Sequence, residues 1–332
     1  MSTFKEIRGT LIKSVSSDPA NPELGEIWYN NTIGSLKGYK TIAAAWASGG
    51  NMGTGRYSSG AFGTQTAAVQ FGGYPYIDKK VTEEYNGSTW TSANNMSVGV
   101  SDGTGLGILT AGLAFAGNAS YPGNPILTST EEYDGTNWTS GGTLGTGRNN
   151  AGGAGTLTAG LGFGGRSGPS AVTNTEEYDG TNWTAGGALG TARYALGSAT
   201  AGSQTAALAF AGNTPPFNTI TDVSEEYNGS AWTAGGNYVT SNRILSGAGT
   251  QTAGLGFGGI DPVGATGTTA LYDGSSWTTS PASLSTSRYS ATGVGTQTDG
   301  LCGGGAGGPT TTTATEEFTG AFNAAQTLTT ST

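Results

Sequence analysis

The sequence predicts an all-β protein in which one four-stranded segment is repeated six times. A glycine-rich run such as GTQTAGLGFGG recurs about every 46 residues. Between its copies lie a Glu-Glu-Tyr motif, an Asn-Gly or Asp-Gly pair and a tryptophan. Such a pair between strand-like runs is typical of a tight hairpin, because both central residues of the turn take a positive φ. The glycine-rich runs begin at Gly63, Gly107, Gly155, Gly202, Gly249 and Gly295.

The residues of one copy predict the order of its four strands. In the first copy, residues 57–62 follow an arginine and form the first strand, and the small apolar run 67–71 forms the second. A loop of variable length leads to the third strand, which ends in Glu-Glu-Tyr, and the fourth strand begins at the tryptophan. Six copies of this kind, each with about 40 to 50 residues, are typical of a β-propeller with one blade per copy.

The ends of the repeat predict how it closes. Phe318 ends the third-strand motif of the last copy, but Asn323 stands where complete copies have tryptophan. Trp46 has the fourth-strand motif without a third strand before it. We therefore expect the Trp46 strand to complete the last blade beside the Phe318 strand, which leaves no open seam. The expected organisation is an extended N-terminal arm over residues 1–40, a six-bladed β-propeller over residues 41–323, and a C-terminal tail over residues 324–332.

The glycine pair after the second strand, the tyrosine of the third and the tryptophan of the fourth resemble kelch repeats. The resemblance implies a kelch-like β-propeller closed by an N-terminal strand. It implies no single function, because this architecture serves many. One departure is Cys302, which we align with the phenylalanine of the other copies and which we expect to pack as a small apolar residue.

Composition excludes several kinds of site. The 332-residue chain has no histidine and one cysteine, which excludes histidine bases, histidine-ligated zinc and disulfides. A net charge of −9 argues against nucleic acid as a partner. There is no signal-peptide core and no apolar run long enough to insert into a membrane. We expect no enzymatic activity, no cofactor and no metal, and we assign the aspartates of the Asp-Gly pairs to turn chemistry rather than to calcium.

Pairs of glutamates in five copies invite a glycosidase interpretation. Neighbouring residues of a strand point to opposite faces, however, so the two members of a pair cannot flank one bond. We predict instead ion pairs with the arginines that open most copies. The arginine is missing from the second copy, which has Val100, and the glutamate pair is missing at residues 270–271. The glutamate pairs lie at residues 83–84, 131–132, 176–177, 225–226 and 316–317, and the arginines are Arg56, Arg148, Arg193, Arg243 and Arg288.

The loops between second and third strands differ most from copy to copy, whereas the other turns within a copy are short and uniform. Binding residues collect on loops that a rigid scaffold holds. Aromatic rings in these loops suit a host-surface glycan or a protein partner. The alternative is drift in unconstrained loops. The ligand-binding candidates are Tyr74, Tyr76, Tyr121, Arg166 and Phe217.

The first 40 residues differ in composition from the repeat, since they are richer in charge and contain Pro19 and Pro22 in a predicted extended connector. The segment GEIWYNNTIGSLKGY, which starts at Gly25, predicts a hairpin. It resembles the N-terminal attachment regions of bacteriophage tail-fibre and appendage proteins, in particular kelch-like structural proteins of marine and cyanobacterial tailed phages.

This resemblance implies a non-enzymatic virion protein, assembled in the host cytoplasm, that serves as a tail fibre, appendage or decoration. Its arm is expected to contact other virion proteins or to form a homotrimer, and its propeller to adhere to the host surface. The docking candidates in the arm are Phe4, Ile7, Leu11, Trp28 and Tyr29.

Two other functions stay open. One is a cytoplasmic kelch-type module for protein–protein interaction, which would have a cellular partner. The less favoured one is a carbohydrate-active enzyme on a propeller. That enzyme would need clustered carboxylates, and the variable loops offer only Asp78, Asp222 and Asp261.

Overall fold

The computed structural model describes residues 12–75, 79–119, 123, 125–216, 219–307 and 311–328. These residues form strands, turns and loops without any helix, which confirms the predicted all-β class. No helix long and apolar enough to cross a membrane occurs within them. The chain divides into two compact units, here called the large unit (residues 45–319) and the small unit (residues 1–44 and 320–332).

The large unit contains six four-stranded antiparallel sheets, each with its strands in the order of the repeat. Sheet I is formed by Gly60–Thr64, Ala67–Phe71, Thr82–Tyr85 and Trp90–Ala93. Sheet II is formed by Thr104–Ile108, Ala111–Phe115, Thr130–Tyr133 and Trp138–Ser140. Sheet III is formed by Gly152–Thr156, Ala159–Phe163, Thr175–Tyr178 and Trp183–Ala185.

The remaining three sheets follow the same plan. Sheet IV is formed by Gly197–Ser198, Ala207–Phe210, Ser224–Tyr227 and Trp232–Ala234. Sheet V is formed by Ser246–Thr250, Ala253–Phe257, Thr268–Tyr272 and Trp277–Ser283. Sheet VI is formed by Thr292–Gly295, Asp299–Gly303, Thr315–Thr319 and Ala45–Ser48. Short ribbons pair Val100–Ser101 with Asn118–Ala119, Arg166–Ser167 with Ser170–Ala171, and Asn213–Thr214 with Thr219–Ile220.

Sheet VI confirms the predicted pairing of the first and last strands of the repeat. Trp46 lies opposite Phe318, in the register that the tryptophan and tyrosine of every other sheet share. The first strand of sheet I begins at Gly60 rather than at residue 57 as predicted. Before Gly60, Tyr57 instead pairs with Tyr74 of the same sheet, and Ser58 bonds to the two neighbouring sheets.

Each fourth-strand tryptophan donates its indole N–H to a hydroxyl group on the third strand of the preceding sheet. Trp138 of sheet II, for example, donates to Thr82 of sheet I over 3.1 Å. The bond recurs at all six junctions, including the one between sheets I and VI. The other five pairs are Trp46 with Thr269, Trp90 with Thr315, Trp183 with Thr130, Trp232 with Thr175, and Trp277 with Ser224.

Phenylalanines at the ends of second strands pack against the tryptophan of the next sheet. Phe210 and Trp277, for example, have ring centroids 4.7 Å apart. The alignment of Cys302 with the phenylalanines is wrong by one residue, because Gly303 pairs with Thr292 and Thr315 as Phe257 pairs with Ser246 and Thr269. Cys302 is fully buried at the next position of the strand, which confirms that it packs as a small apolar residue. Burial raises the pKa of the Cys302 thiol to about 12, so this thiol stays protonated at neutral pH.

Buried ion pairs connect the residues before a sheet to its third strand. In sheet I, Arg56 Nη2 lies 2.5 Å from Glu83 Oε2, with both side chains almost fully buried. A buried charge of this kind needs a partner, because an unpaired one is costly. The predicted arginine–glutamate pairs are therefore confirmed as contacts within sheets. The others are Arg148 with Glu176, Arg193 with Glu225, and Arg288 with Glu316.

Sheet V differs from the predicted pattern at its arginine. The alignment of Arg243 with the other arginines is wrong by one residue, because Asn242 occupies their position. Asn242 Nδ2 donates to Gly258 O, as Arg288 Nη1 donates to Gly304 O in sheet VI. The third strand of this sheet has Ala270 where the others have glutamate, so no buried carboxylate there requires an arginine.

The second glutamate of each pair accepts a hydrogen bond from the third-strand tyrosine of the next sheet. Tyr85 of sheet I, for example, donates to Glu317 of sheet VI over 2.5 Å. Five junctions have this bond, and at the sixth both partners are replaced, by Phe318 and Leu271. The other four pairs are Tyr133 with Glu84, Tyr178 with Glu132, Tyr227 with Glu177, and Tyr272 with Glu226.

The small unit is a four-stranded sheet made from both ends of the chain. Its strands, in spatial order, are Lys13–Val15, Ile27–Asn30, Ser35–Ile42 and Phe322–Thr327. The predicted hairpin is confirmed, with Trp28 opposite Lys37. Trp28 is buried and donates its indole N–H to Asp18.

Three expectations for the chain ends differ from what this sheet shows. The described part of residues 1–40 is folded into a sheet rather than extended. Residues 322–327, expected at the propeller end and in a tail, form an edge strand beside Ser35–Ile42. Trp28 is fully buried, so it stabilises the small unit and offers no surface for docking. Tyr29 is exposed, and Phe4, Ile7 and Leu11 lie outside the described residues.

Candidate functional site

Six backbone hydrogen bonds form a closed cycle in the large unit. The N–H of Asp102 donates to Ser58 O, and the same bond leads from each sheet to the previous one until Ser58 itself donates to Ser290 O. The donor–acceptor distances are 2.7 to 3.0 Å. We call these residues the mouth ring. Its members are Ser58, Asp102, Asn150, Ala195, Ile244 and Ser290.

All members of the mouth ring have a left-handed backbone, with φ between 50° and 55°. Only glycine adopts this conformation without cost, and a β-branched residue such as Ile244 is an outlier there. The cycle imposes the conformation, because each residue must donate to one neighbour and accept from the other. The ring borders a cavity of about 130 Å³, lined by the mouth ring and by first-strand residues of five of the six sheets.

The residue before each ring member pairs with the residue that follows the glycine or alanine–glycine pair of its own sheet. In sheet I this pairs Tyr57 with Tyr74, and in sheet III it pairs Asn149 with Arg166. We call these twelve positions the rim. The other four pairs are Ser101 with Asn118, Tyr194 with Asn213, Arg243 with Ile260, and Tyr289 with Ala306.

Two predicted ligand-binding residues occupy equivalent rim positions. Tyr74 stacks on Tyr57 with ring centroids 5.4 Å apart, and Lys79 Nζ lies 4.2 Å from the centre of the Tyr74 ring. Arg166 is exposed, with its guanidinium 5.8 Å from the centre of the Tyr194 ring. The other candidates, Tyr76, Tyr121 and Phe217, lie outside the described residues.

The rim lies at the end of the sheets that carries the variable loops. Neighbouring strands are antiparallel, so the first-to-second and third-to-fourth turns share one end, here called the turn end. Thr66 and Gly87 of sheet I, which belong to these two turns, are indeed adjacent. The second-to-third loops and the connections between sheets share the other end, here called the loop end.

A polar network in the rim surrounds the one acidic member of the mouth ring. Asn118 donates to Asp102 over 3.0 Å, and Asn149 donates in turn to Asn118. The buried Lys79 donates to Ser101 Oγ beside them. Burial raises the pKa of Asp102, and the hydrogen bonds from Ser58 and Asn118 together with the Lys79 charge oppose that rise.

The aspartates of the Asp-Gly pairs serve their turns, as predicted. Asp134 Oδ1 accepts hydrogen bonds from the backbone N–H groups of Thr136 and Asn137. These bonds lower the pKa of Asp134. Within the described ranges, no group of three or more acidic or cysteine side chains is placed to hold a metal ion.

The arrangement suits binding. The rim combines tyrosine rings, amides and cations, which can stack on a ligand and donate to it. Sequence reasoning missed Tyr57, Tyr194, Arg243 and Tyr289 as members of this site. The signal that could have found them is their shared position, one residue after the buried arginine or its substitute, where three copies have tyrosine and the others have serine, asparagine or arginine.

No protein-family model and no curated protein matches this sequence.

Proposed function

We propose that the large unit is a six-bladed, kelch-like β-propeller closed by its N-terminal strand. The mouth ring supports this proposal, because a cycle of six equivalent bonds needs six sheets arranged around one axis. The tryptophan–hydroxyl bonds support it independently, since they recur at the junction of sheets I and VI. Closure of this kind protects the sheet edges that an open array would expose.

We propose further that the protein is a non-enzymatic virion protein of a tailed bacteriophage that adheres to the host surface through its rim. One observation carries the binding function: six equivalent backbone bonds hold varied side chains at the rim, with tyrosine, serine, asparagine or arginine at the position before each ring member. A rigid scaffold whose sequence varies only next to its loops is typical of a binding surface.

The small unit is proposed to attach the protein to other virion proteins. Its hairpin carries the resemblance to phage attachment regions. The small unit also has five of the described large apolar side chains that are exposed, and exposed apolar residues mark interaction surfaces when they gather. These residues are Ile12, Leu24, Tyr29, Ile33 and Phe322.

Particles produced from the genome that encodes the chain test this proposal. Antibodies against the protein should label a surface structure of the particles in electron microscopy, and the purified full-length protein should bind host cells and slow adsorption. A Tyr29→Ser/Ile33→Ser variant should be incorporated at least about fivefold less than the wild type, since it removes apolar contact surface.

The matched control is Ile108→Ser, which removes an exposed apolar residue from the turn end of sheet II. It should be incorporated normally. Absence of the wild-type protein from the particles, together with a stable complex with a cellular protein, would replace the virion proposal with an intracellular interaction module.

A further inference from the structure

We propose that the rim binds an acidic saccharide through the arc formed by Arg166, Tyr194, Asn213 and Arg243. This inference rests on the proposed adhesion function and names the chemical class of its ligand. It commits to a carbohydrate that carries both hydroxyl and carboxylate or sulfate groups.

The four residues occupy consecutive positions of the rim. Arg166 lies over the ring of Tyr194, and Tyr194 pairs with Asn213 through two backbone hydrogen bonds. Arg243 follows next around the mouth, because Ile244 N donates to Ala195 O over 2.8 Å. One cation therefore lies over this half-buried ring, and the second occupies the equivalent rim position of the next sheet.

The positive charge of the large unit is concentrated at this end. Residues 45–319 contain eight lysines and arginines, four of which are the buried partners of glutamates. The other four, Lys79, Lys80, Arg166 and Arg243, all belong to the loop end. The turn end carries only acids among its charged residues that the structure describes, namely Asp134, Asp179, Asp273 and Asp299. The loop end also carries the acids Asp102, Asp222 and Asp261, so its charge is mixed. On a chain of net charge −9, it is nevertheless the end at which an anion meets cations.

Arg243 has a guanidinium without a hydrogen bond to any described residue, unlike the four buried arginines, and its Nε is shielded from solvent. Arg166 uses only its Nε, which donates to Gly168 O. Neither arginine lies within 4.0 Å of a carboxylate of the described chain. A planar guanidinium with unused N–H groups can bind a carboxylate or sulfate through two parallel hydrogen bonds.

Asn213 is the residue that we expect to recognise the hydroxyl groups of the saccharide. It is almost fully buried, and its Oδ1 accepts no hydrogen bond from the described residues. Buried acceptors without a donor are rare and need an explanation. An acidic peptide can donate only from its backbone N–H groups, whereas a saccharide offers hydroxyl donors for Asn213 on the same ring as an anionic group for the arginines. The tyrosine ring offers a flat apolar face to the sugar.

Titration calorimetry on the full-length protein tests the inference with four probes: oligogalacturonate, its methyl ester, sulfated chondroitin oligosaccharide and poly-L-glutamate. We expect at least one acidic saccharide to bind, more weakly as salt is raised. The uncharged methyl ester and poly-L-glutamate should bind at least about tenfold more weakly, which corresponds to about one lost ionic contact.

Arg166→Gln and Arg243→Gln should each weaken saccharide binding about tenfold. Lys40→Gln, which removes the same charge from an exposed position of the small unit, should leave it unchanged. Thermal unfolding of each variant shows whether the fold is retained. If Arg243→Gln is unstable, Arg166→Gln alone tests the inference, because Arg166 is exposed and its replacement should not disturb the fold.

The inference falls if none of the acidic saccharides binds, if both arginine variants bind like the wild type, or if poly-L-glutamate binds equally well through the same arginines. Binding of the full-length protein to host cells, measured separately, distinguishes the two proposals. Cell binding that acidic saccharides do not inhibit would overturn the ligand class and leave the adhesion function standing. If the protein binds neither acidic saccharides nor host cells, the adhesion function is overturned too.

Discussion

At the scale of single residues, positive charge in the large unit is either neutralised in the interior or placed at the loop end. Arg148 is completely buried, and its charge is balanced by Glu176, which also accepts from the backbone N–H of Gly145. Burial lowers the pKa of Arg148, and the nearby carboxylate of Glu176 opposes this. Sheet V shows the uncharged alternative, with Asn242 and Ala270 at the equivalent positions.

Replacing the pair of sheet III with the residues of sheet V tests this balance. Glu176→Ala alone should lower the free energy of unfolding by about 3–5 kcal/mol, because Arg148 stays buried without a partner. Arg148→Asn combined with Glu176→Ala should cost clearly less than the sum of the two single changes. Urea unfolding of the four proteins measures the coupling. Strict additivity would show that the pair contributes no specific interaction.

At the scale of elements, the mouth ring explains why the first strands start later than the sequence predicts. The residues before each strand do not extend the sheet, because they turn through a left-handed residue to reach the neighbouring sheet. Asn150 and Asp102 suit this conformation better than Ile244 does, since a short polar side chain tolerates it.

Ile244→Asn should therefore raise the free energy of unfolding by up to about 1 kcal/mol through relief of backbone strain. Ser290→Asn is the matched control, because serine lacks the β-branch and should gain less. Urea unfolding of both variants gives the comparison. A clear loss of stability in Ile244→Asn would mean that the isoleucine side chain packs well enough to outweigh the strain.

At the scale of the large unit, tyrosine–glutamate bonds connect the sheets at five of six junctions. Burial, followed by the hydrogen bond to Glu317, raises the pKa of Tyr85 to about 12. Burial and the corresponding glutamate likewise raise the pKa of Tyr178, Tyr227 and Tyr272 to about 12. The folded state thus favours the protonated tyrosine at these junctions.

A raised tyrosine pKa contributes stability that is fully present below the unfolded value near 10 and is lost as pH rises towards 12. We expect the free energy of unfolding to fall steeply between pH 10 and 12, with one cooperative transition. Urea unfolding at several pH values, with tyrosinate absorbance, measures this. Tyr85→Phe, which copies the natural exception at Phe318, should make the pH dependence shallower; an unchanged slope would contradict the assignment.

The sequence by itself determined the features that depend on neighbouring residues. The glycine, tyrosine and tryptophan positions predicted four strands per copy, the Asp-Gly pairs predicted the turns, and the missing tryptophan near Asn323 predicted the partner of the Trp46 strand. The glutamate pairs predicted ion pairs with the arginines. These signals are short-range, because hairpin turns and strand alternation are set within a few residues.

Only the tertiary structure decided which side chains meet around the mouth. Tyr57, Tyr194 and Arg243 are far apart in the chain, and their shared position became visible once the backbone cycle was formed. The single-residue shift that places Asn242 among the arginines, the burial of Trp28, and the pairing of residues 322–327 with Ser35–Ile42 are likewise decided by long-range contacts. Local periodicity carries no information about such contacts, since they depend on how separate copies and both chain ends pack together.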